Sequence, residues 1–475
     1  MIDNSTLVLF GARGNLAKVK LIPGLFHLDE AGKLPKNMKI LSVGRQEVEE
    51  ADWHADIKKM LDEKFKTYDK RVFDRFIKRN LYHANLPDDP EAFIKFSKRL
   101  ADKVIFPQNL AFFLSVRPSD FALIVKQLSA VGLLNESESW RRVLIEKPFG
   151  TCFKTAIELQ NSIEEHLKEH QIYRIDHYLG KFSLQNIMTT RFKNALLEPL
   201  WSNEHIEQIQ ITNHETLGVG DRTVFYEATG ALRDMIQSHL LQMLALVTME
   251  QPKTMDPEDV RLEKIKLLES IEAIPMDKIK NFAFRGQYAA GDINGEKVKG
   301  YLDEVENQDS VVETYAAIKL FINNSRWSKV PIYLRTAKRL YENSTSITIK
   351  FKNYENWLTI NIQPNENTSF EITTLQPGLD MDKNRQTILK GNNRIEGDET
   401  IDAYEALMLD LLGGDQSKFL HINEVKAAWK LVDPIIEYWG NDKSKPTQYK
   451  PGEFDPEESK IIFEDESQFW KKYFF

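Results

Sequence analysis

Residues Ile172–Lys181 read IYRIDHYLGK and place Asp176, His177, Tyr178 and Lys181 within six positions. An imidazole and an ammonium four positions apart share one face of a helix or tight turn. With the Tyr178 hydroxyl beside them, His177 and Lys181 make a site for a dianion such as a sugar phosphate. A solvated charged face is the competing reading. Asp176 would repel such a ligand unless it served another group, and the natural role is to orient a catalytic histidine, as a triad carboxylate does. That histidine must come from elsewhere in the chain. His239 is the candidate, within GALRDMIQSHLLQMLALV, Gly230–Val247. A lone histidine on such an apolar helix is more often a core residue; the carboxylate partner and nearby Asp234 argue for function. Asp234 precedes His239 by five positions. That is about 140° around an α-helix, so the two are expected to flank a cleft rather than stack.

A second group of residues suits a dinucleotide. GARGNLA, Gly11–Ala17, follows the apolar run TLVLF and precedes a helical pattern. A glycine turn lets the backbone approach a pyrophosphate, and the helix N-terminus offers free N–H groups. Only Gly11 and Gly14 are present, with Ala17 at the last position of the fingerprint. After the second apolar run comes Val43-Gly44-Arg45-Gln46. An acidic side chain there would hold the ribose 2′-hydroxyl of NAD; Arg45 instead suits a 2′-phosphate, within reach of Arg13 too, which favours NADP. Glu146-Lys147-Pro148 ends another apolar run, which would aim Lys147 at the nicotinamide end of a cleft. Taken singly, these motifs also read as an ordinary turn, a surface arginine and a surface lysine.

These residues need elements to carry them. Thr6–Phe10, Met38–Val43, Leu81–Leu86, Leu110–Val116 and Val143–Glu146 read as buried strands, with helical patterns such as Glu91–Lys103 and Ser119–Val131 between them. That alternation predicts a Rossmann-type doubly wound parallel sheet. Beyond about residue 200 the pattern changes. Ile347, Ile349 and Phe351, then Leu358, Ile360 and Ile362, alternate with polar residues, and Phe370 and Ile372 continue the series. Period-two alternation predicts an antiparallel sheet with one wet face. Helical stretches Gly230–Val247 and Ala403–Leu412 are assigned with it. The expected plan is a dinucleotide-binding domain over 1–175 and a larger α+β domain over 176–475. The polar segment Asp382–Thr400 is expected to be a surface excursion, and the proline-bearing C-terminal tail irregular.

Composition excludes several classes. A net charge of −8 argues against a general nucleic-acid surface. The single cysteine, Cys152, rules out an internal disulfide framework and a cysteine-cluster zinc site. No convincing metal-ligand cluster stands out. The N-terminus lacks the basic and long apolar regions of a secretory signal. No run of about 18 apolar residues suggests a membrane span. The expected setting is the cytoplasm. A large, mostly antiparallel sheet with one exposed face suggests a homodimer or homotetramer.

Together the motifs resemble the glucose-6-phosphate dehydrogenase family. Arg174–Lys181 matches its phosphate signature R-I-D-H-Y-L-G-K in full. GARGNLA matches its GASGDLA-like turn, and Glu146–Gly150 its EKPFG. Gly230–Gln242 matches with Ser238 for Asn, Arg285–Tyr288 matches RGQY, and Val330–Leu340 matches with Ala337 for Gly. The resemblance runs from about residue 6 to at least Trp429.

It implies oxidation of glucose 6-phosphate at C1 to 6-phosphoglucono-1,5-lactone with hydride transfer to NADP, the first step of the oxidative pentose phosphate pathway. By the same resemblance His239 is the base for the C1 hydroxyl proton and Asp176 orients it. His177, Tyr178 and Lys181 would hold the 6-phosphate, and Glu215 and Asp234 would accept from sugar hydroxyls. Lys147 and Lys338 would lie near the sugar and nicotinamide. Gly11, Arg13, Gly14, Asn15 and Arg45 would contact NADP. No metal is required.

There are departures. Asn343 stands where the family often has a second lysine, Asn15 where the turn usually has Asp, and Arg117 where many relatives have the first of two prolines. Two other readings stay open: a dehydrogenase of the same plan for a different sugar or sugar phosphate, and, kept alive by Asn343 and Arg117, a catalytically dead relative that binds NADP and regulates or scaffolds a partner.

Overall fold

The computed structural model describes residues 2–293, 295–377, 383–394, 397, 400–442 and 444–472. The chain divides into two units. The first comprises 1–181, 254–261 and 400–425; the second comprises 182–253, 262–399 and 426–475. This departs from the single cut expected at 175/176: residues 176–181 stay with the first unit, and the chain returns to it twice.

The first unit is built on β1 (Thr6–Phe10), β2 (Lys39–Gly44), β3 (Asn80–Ala84), β4 (Leu110–Leu114), β5 (Arg141–Ile145) and β6 (Ile172–Ile175). Their order is β6-β5-β4-β1-β2-β3, and every neighbouring pair is parallel. The reversal of direction beside β1 is the switch point of a doubly wound sheet, where ligands bind at the carboxyl ends of strands. β1 and β4 are buried at every position, because helices cover both faces of such a sheet. Successive side chains serve opposite faces. Leu7, Leu9, Ile40, Phe113 and Leu144 join one core, whereas Val8, Phe10, Leu41, Phe112 and Val143 join the other.

The returning segment completes the first of these cores. Helix Ala403–Gly413 starts with an Asp402–Glu405 capping box and stops at Gly414, φ +84°. Its Leu407, Met408, Leu411 and Leu412 are buried in the core that contains Leu7 and Leu9. The sequence pattern assigns this helix to the other domain; its packing assigns it here. The short strand Phe419–Leu420 then pairs antiparallel with β6 and extends the sheet.

The second unit carries β7 (Ile206–His214), β8 (Ala283–Tyr288), a hairpin of β9 (Gly291–Ile293) and β10 (Glu296–Val298), β11 (Tyr315–Leu320), β12 (Ile332–Ala337), β13 (Ser344–Phe351), β14 (Trp357–Gln363), β15 (Asn367–Leu375) and β16 (Asn384–Asn392). Its main sheet runs β16-β15-β14-β13-β7-β12-β11-β8, closed by strand Thr447–Tyr449. Pairings are antiparallel except β7–β12 and β8 with Thr447–Tyr449.

Two expectations are sharpened here. The described part of 382–400 is largely exposed, as expected of a surface excursion, and within it residues 384–392 form β16, an edge strand held along its length by β15. Positions 382, 395, 396, 398 and 399 of that stretch lie outside the described residues. The C-terminal tail is not irregular throughout, since it contributes a strand, the 3₁₀ turn Glu457–Ile462 and a buried Trp470.

Candidate active site

In the first unit the glycine turn has a steric cause. Gly11 has φ +77°, and a Cβ there would stand 2.0 Å from the Ser115 carbonyl oxygen at the end of β4. Only glycine lets the turn pass that close. Hydrogen bonds from the Gly11 and Ala12 N–H groups to the Val43 carbonyl, 3.0 and 3.1 Å, tie it to β2. A cavity of about 630 Å³ opens at these strand ends, lined by Gly11, Arg13, Gly14, Lys18, Arg45 and Arg117 among others. Asn15 is exposed at the start of the following helix and is not among the lining residues. Lys18 is, although no motif singles it out. It lies one helical turn after Gly14 and bonds back to the Gly14 carbonyl at 3.1 Å.

At the end of β5, Glu146 is half-buried as a residue, but its Oε1 is sealed from solvent. Burial raises its carboxyl to about 8, against the opposing effects of a hydrogen bond with Tyr404 and the charge of Lys147. The Lys147–Pro148 bond is cis.

β6 delivers the signature turn. Asp176 is buried, and its Oδ1 accepts the Tyr178 N–H at 3.0 Å. Bonds from Leu179, Gly180 and Lys181 N–H to the carbonyls three residues back wind 176–181 into a tight turn. Lys181 Nζ sits 3.8 Å above the Tyr178 ring. The His177 ring meets the same tyrosine edge-on at 4.9 Å and stacks on Tyr404 at 6.0 Å. The turn therefore gathers His177 and Lys181 around Tyr178, as their spacing predicts.

Gly180 is needed for packing rather than for an unusual φ. A Cβ would lie 2.5 Å from the Ala403 carbonyl oxygen. Arg174, inside the signature, is structural. It bonds both Glu169 oxygens at 2.7 and 2.9 Å and Gln160 at 2.6 Å. Burial works to raise Glu169, and the Arg174 contacts outweigh it, so its carboxyl lies below the usual range.

In the second unit Glu215 follows β7. Its N–H donates to the Ala337 carbonyl at 2.9 Å, and its side chain pairs with Lys338. Lys338 Nζ is 5.4 Å from the Tyr226 ring centre. The Tyr226 hydroxyl is raised well above its ordinary value, by burial first and then by the charges of Asp234, Glu313 and Glu215. Lys338 thus links Glu215 to this tyrosine, whose hydroxyl also feels the charge of Asp234. Asn343, the departure from the family lysine, accepts the Thr216 N–H at 2.8 Å and braces the turn after Glu215.

The helix carrying Asp234 and His239 differs from the α-helix expected. Leu232–Leu240 is π-helical. Hydrogen bonds there run between residues five apart, so Asp234 and His239 are separated by one hydrogen-bonded turn and share a face. The 140° separation expected for an α-helix does not apply. His239 is 1% exposed.

The start of this helix is set by a residue the sequence reading passed over. Glu313 Oε1 accepts the Leu232 N–H at 2.9 Å, and the Glu313 carbonyl accepts the Ala231 N–H at 3.0 Å. Gly230, φ +63°, turns the chain into this cap, and a Cβ there would lie 2.4 Å from Glu313 Oε1. A glycine opening a helical pattern was the available signal; its acidic partner is distant in sequence.

A doubly wound sheet with a glycine turn opening onto a basic cleft defines a dinucleotide-binding dehydrogenase. The comparisons with known proteins narrow this class. The family model "Glucose-6-phosphate dehydrogenase, NAD binding domain" matches residues 8–186, and the C-terminal domain model of the same family matches 188–471. The chain belongs to the glucose-6-phosphate dehydrogenase family. It is 37% identical to the glucose-6-phosphate 1-dehydrogenase of Bacillus subtilis over 484 residues, 98% of each chain. It is likewise 37% identical to that of Chlamydia pneumoniae over 98% of this chain and 95% of the other. Among solved structures it resembles a glucose-6-phosphate dehydrogenase in complex with glucose 6-phosphate, with TM-score 0.90, 33% identity and 99% coverage of both.

Proposed function

We propose that this chain oxidises glucose 6-phosphate at C1 to 6-phosphoglucono-1,5-lactone and passes the hydride to NADP, the first step of the oxidative pentose phosphate pathway. The observation that carries the reading is the signature turn leaving β6, in a chain that matches the family over nearly its whole length.

The residues fit the cofactor. Gly11 lets the turn close against the end of β4, and Arg13, Lys18 and Arg45 line the cavity beside it with positive charge that suits a dinucleotide's phosphates. NADP, when bound, supplies the hydride acceptor. The chain's own residues do the rest. His239 takes the proton from the C1 hydroxyl, because histidine holds and releases a proton near neutral pH. Asp176 orients that imidazole. His177, Tyr178 and Lys181 hold the 6-phosphate and fix the sugar's orientation. Glu215 and Asp234 accept from sugar hydroxyls. Lys338, paired with Glu215, and Lys147 place positive charge near the reacting carbon. Orientation of this kind is a large part of what an enzyme adds to a hydride transfer.

The comparisons make glucose 6-phosphate the substrate of a relative. No helix among the described residues is long and apolar enough to cross a membrane. We place the protein in the cytoplasm and assign it as a homodimer or homotetramer; Leu375, Ile388 and Leu389 are exposed on β15 and β16 and support self-association.

The test is to combine the protein with glucose 6-phosphate and NADP and follow the absorbance of reduced nicotinamide. Turnover is expected, with a large penalty for glucose lacking the phosphate. Absence of turnover would overturn the proposal, and equal use of both sugars would overturn the phosphate site.

A further inference from the structure

The mouth of the dinucleotide cavity carries a cation that the glycine turn and β2 do not account for. Arg117 lines the cavity just beyond β4, opposite Arg45 at the end of β2. Arg117 Nε lies 3.6 Å from Asp120 Oδ2, and Arg45 Nη2 lies 3.6 Å from the same oxygen. That spacing is beyond direct hydrogen-bond range, and Asp120 Oδ2 has no hydrogen-bond partner among the described residues. Asp120 is itself anchored. Its N–H bonds the Arg117 carbonyl at 2.9 Å, and its Oδ1 accepts from Ser119 Oγ at 3.1 Å. Arg13 differs, because its guanidinium already bonds Gln46 at 3.1 Å and pairs with Asp56 at 3.2 Å.

Charge decides what this arrangement suits. Beside Asp120, Arg45 alone makes a neutral pair, and a phosphate dianion set next to it would meet the carboxylate's repulsion. A second guanidinium on the same carboxylate makes the cluster net positive. The side chains of Arg45 and Arg117 are 57% and 70% exposed, so both forks face the cavity mouth with donors to spare. Two guanidinium forks suit the several oxygens of a phosphate monoester. A proline at position 117 would supply neither charge nor donors.

We propose that Arg117 is a second arm of the clamp on the 2′-phosphate of NADP, so that discrimination against NAD is shared between Arg45 and Arg117 with Asp120 gathering both. This rests on the cofactor reading above and assigns a specificity determinant particular to chains with arginine at this position.

The experiment titrates full-length protein with adenosine 2′,5′-bisphosphate and with 5′-AMP, which lacks the 2′-phosphate. No sugar is present, so the result is independent of substrate identity. Arg117→Ala is expected to weaken the bisphosphate about tenfold, the scale of one charge-assisted hydrogen bond, while 5′-AMP stays within about twofold. Arg117→Lys recovers part of the loss. In turnover, the ratio of kcat/KM for NADP to that for NAD falls about tenfold. Equal weakening of both nucleotides, as from an arginine stacked on adenine, would overturn the proposal, as would no change in either. Wild-type protein that binds the two nucleotides equally would overturn the cofactor reading beneath it, whereas failure to oxidise glucose 6-phosphate alongside tight bisphosphate binding would overturn only the substrate.

Discussion

The ring of Tyr404 lies parallel to that of His177, tilted by only 5°. The same tyrosine lies close enough to the Glu146 carboxyl at the end of β5 to oppose the rise that burial causes in it. A residue of the returning segment therefore braces two motifs that the sequence shows only as separate patches. Tyr404→Ala removes the stacking surface from His177. An aromatic pair contributes about 0.5–1.5 kcal/mol, so KM for glucose 6-phosphate should rise about twofold to tenfold, with kcat less affected. Tyr404→Phe keeps the ring and should stay near wild type. Steady-state kinetics of the two variants check this.

Glu146 makes stability depend on pH. Its folded value of about 8 lies above the ordinary 4.5. Between those values the folded chain holds a proton that the unfolded chain has released. The stabilising contribution is complete below about pH 4.5 and is lost as pH rises toward 8. The slope from this group is at most about 1.4 kcal/mol per pH unit. Glu146→Gln, neutral throughout, should flatten that part of the profile and raise stability at pH 8 relative to wild type. Urea unfolding across the range measures both.

His239→Asn should separate chemistry from binding. Loss of a general base costs about 10²- to 10⁴-fold in rate. Calorimetric binding of glucose 6-phosphate should change little. A variant that turned over normally would remove His239 from the mechanism.

Lys181→Met tests the anion site by comparing sugars. A charged hydrogen bond contributes about 1.5–3 kcal/mol, so kcat/KM for glucose 6-phosphate should fall by roughly one to two orders of magnitude. Activity with unphosphorylated glucose, measured at high concentration, should not fall with it.

Gly230→Ala should be among the more damaging small substitutions. It puts a Cβ at φ +63° and 2.4 Å from the buried Glu313 carboxyl. Strained backbone of this kind costs about 1–3 kcal/mol, and displacement of the helix cap adds to it. Denaturant midpoints measure the loss, and the rate should fall too if the helix carrying His239 shifts.

Much of the first sheet is legible because β1 and β4 are apolar runs too short for helices and buried on both faces, and β5 ends in a shorter one, Val143–Ile145. The signature turn is legible because its candidate chemistry is local: a carboxylate, an imidazole, a phenol and an ammonium fall within one stretch. What escaped depends on partners distant in sequence or on backbone geometry that composition does not encode. Ala403–Gly413 is a mostly apolar helix, AYEALMLDLLG, and nothing in it states which core it enters. The π-helical turn at Leu232–Leu240 has the residue types of an α-helix, so the relation of Asp234 to His239 was misjudged. β16 reads NRQTILKGN and is exposed at nearly every position; without a buried face to impose alternation, its composition marks a surface segment and not a strand.

The return of 400–425 to the first unit bears on how the chain is made. A ribosome releases β1–β6 long before Leu407, Met408 and Leu411 emerge, so the nascent sheet waits with one apolar face incomplete through most of translation. Synthesis halted before the closing helix would leave that face as an adhesive surface, a natural target for a chaperone or a degradative protease.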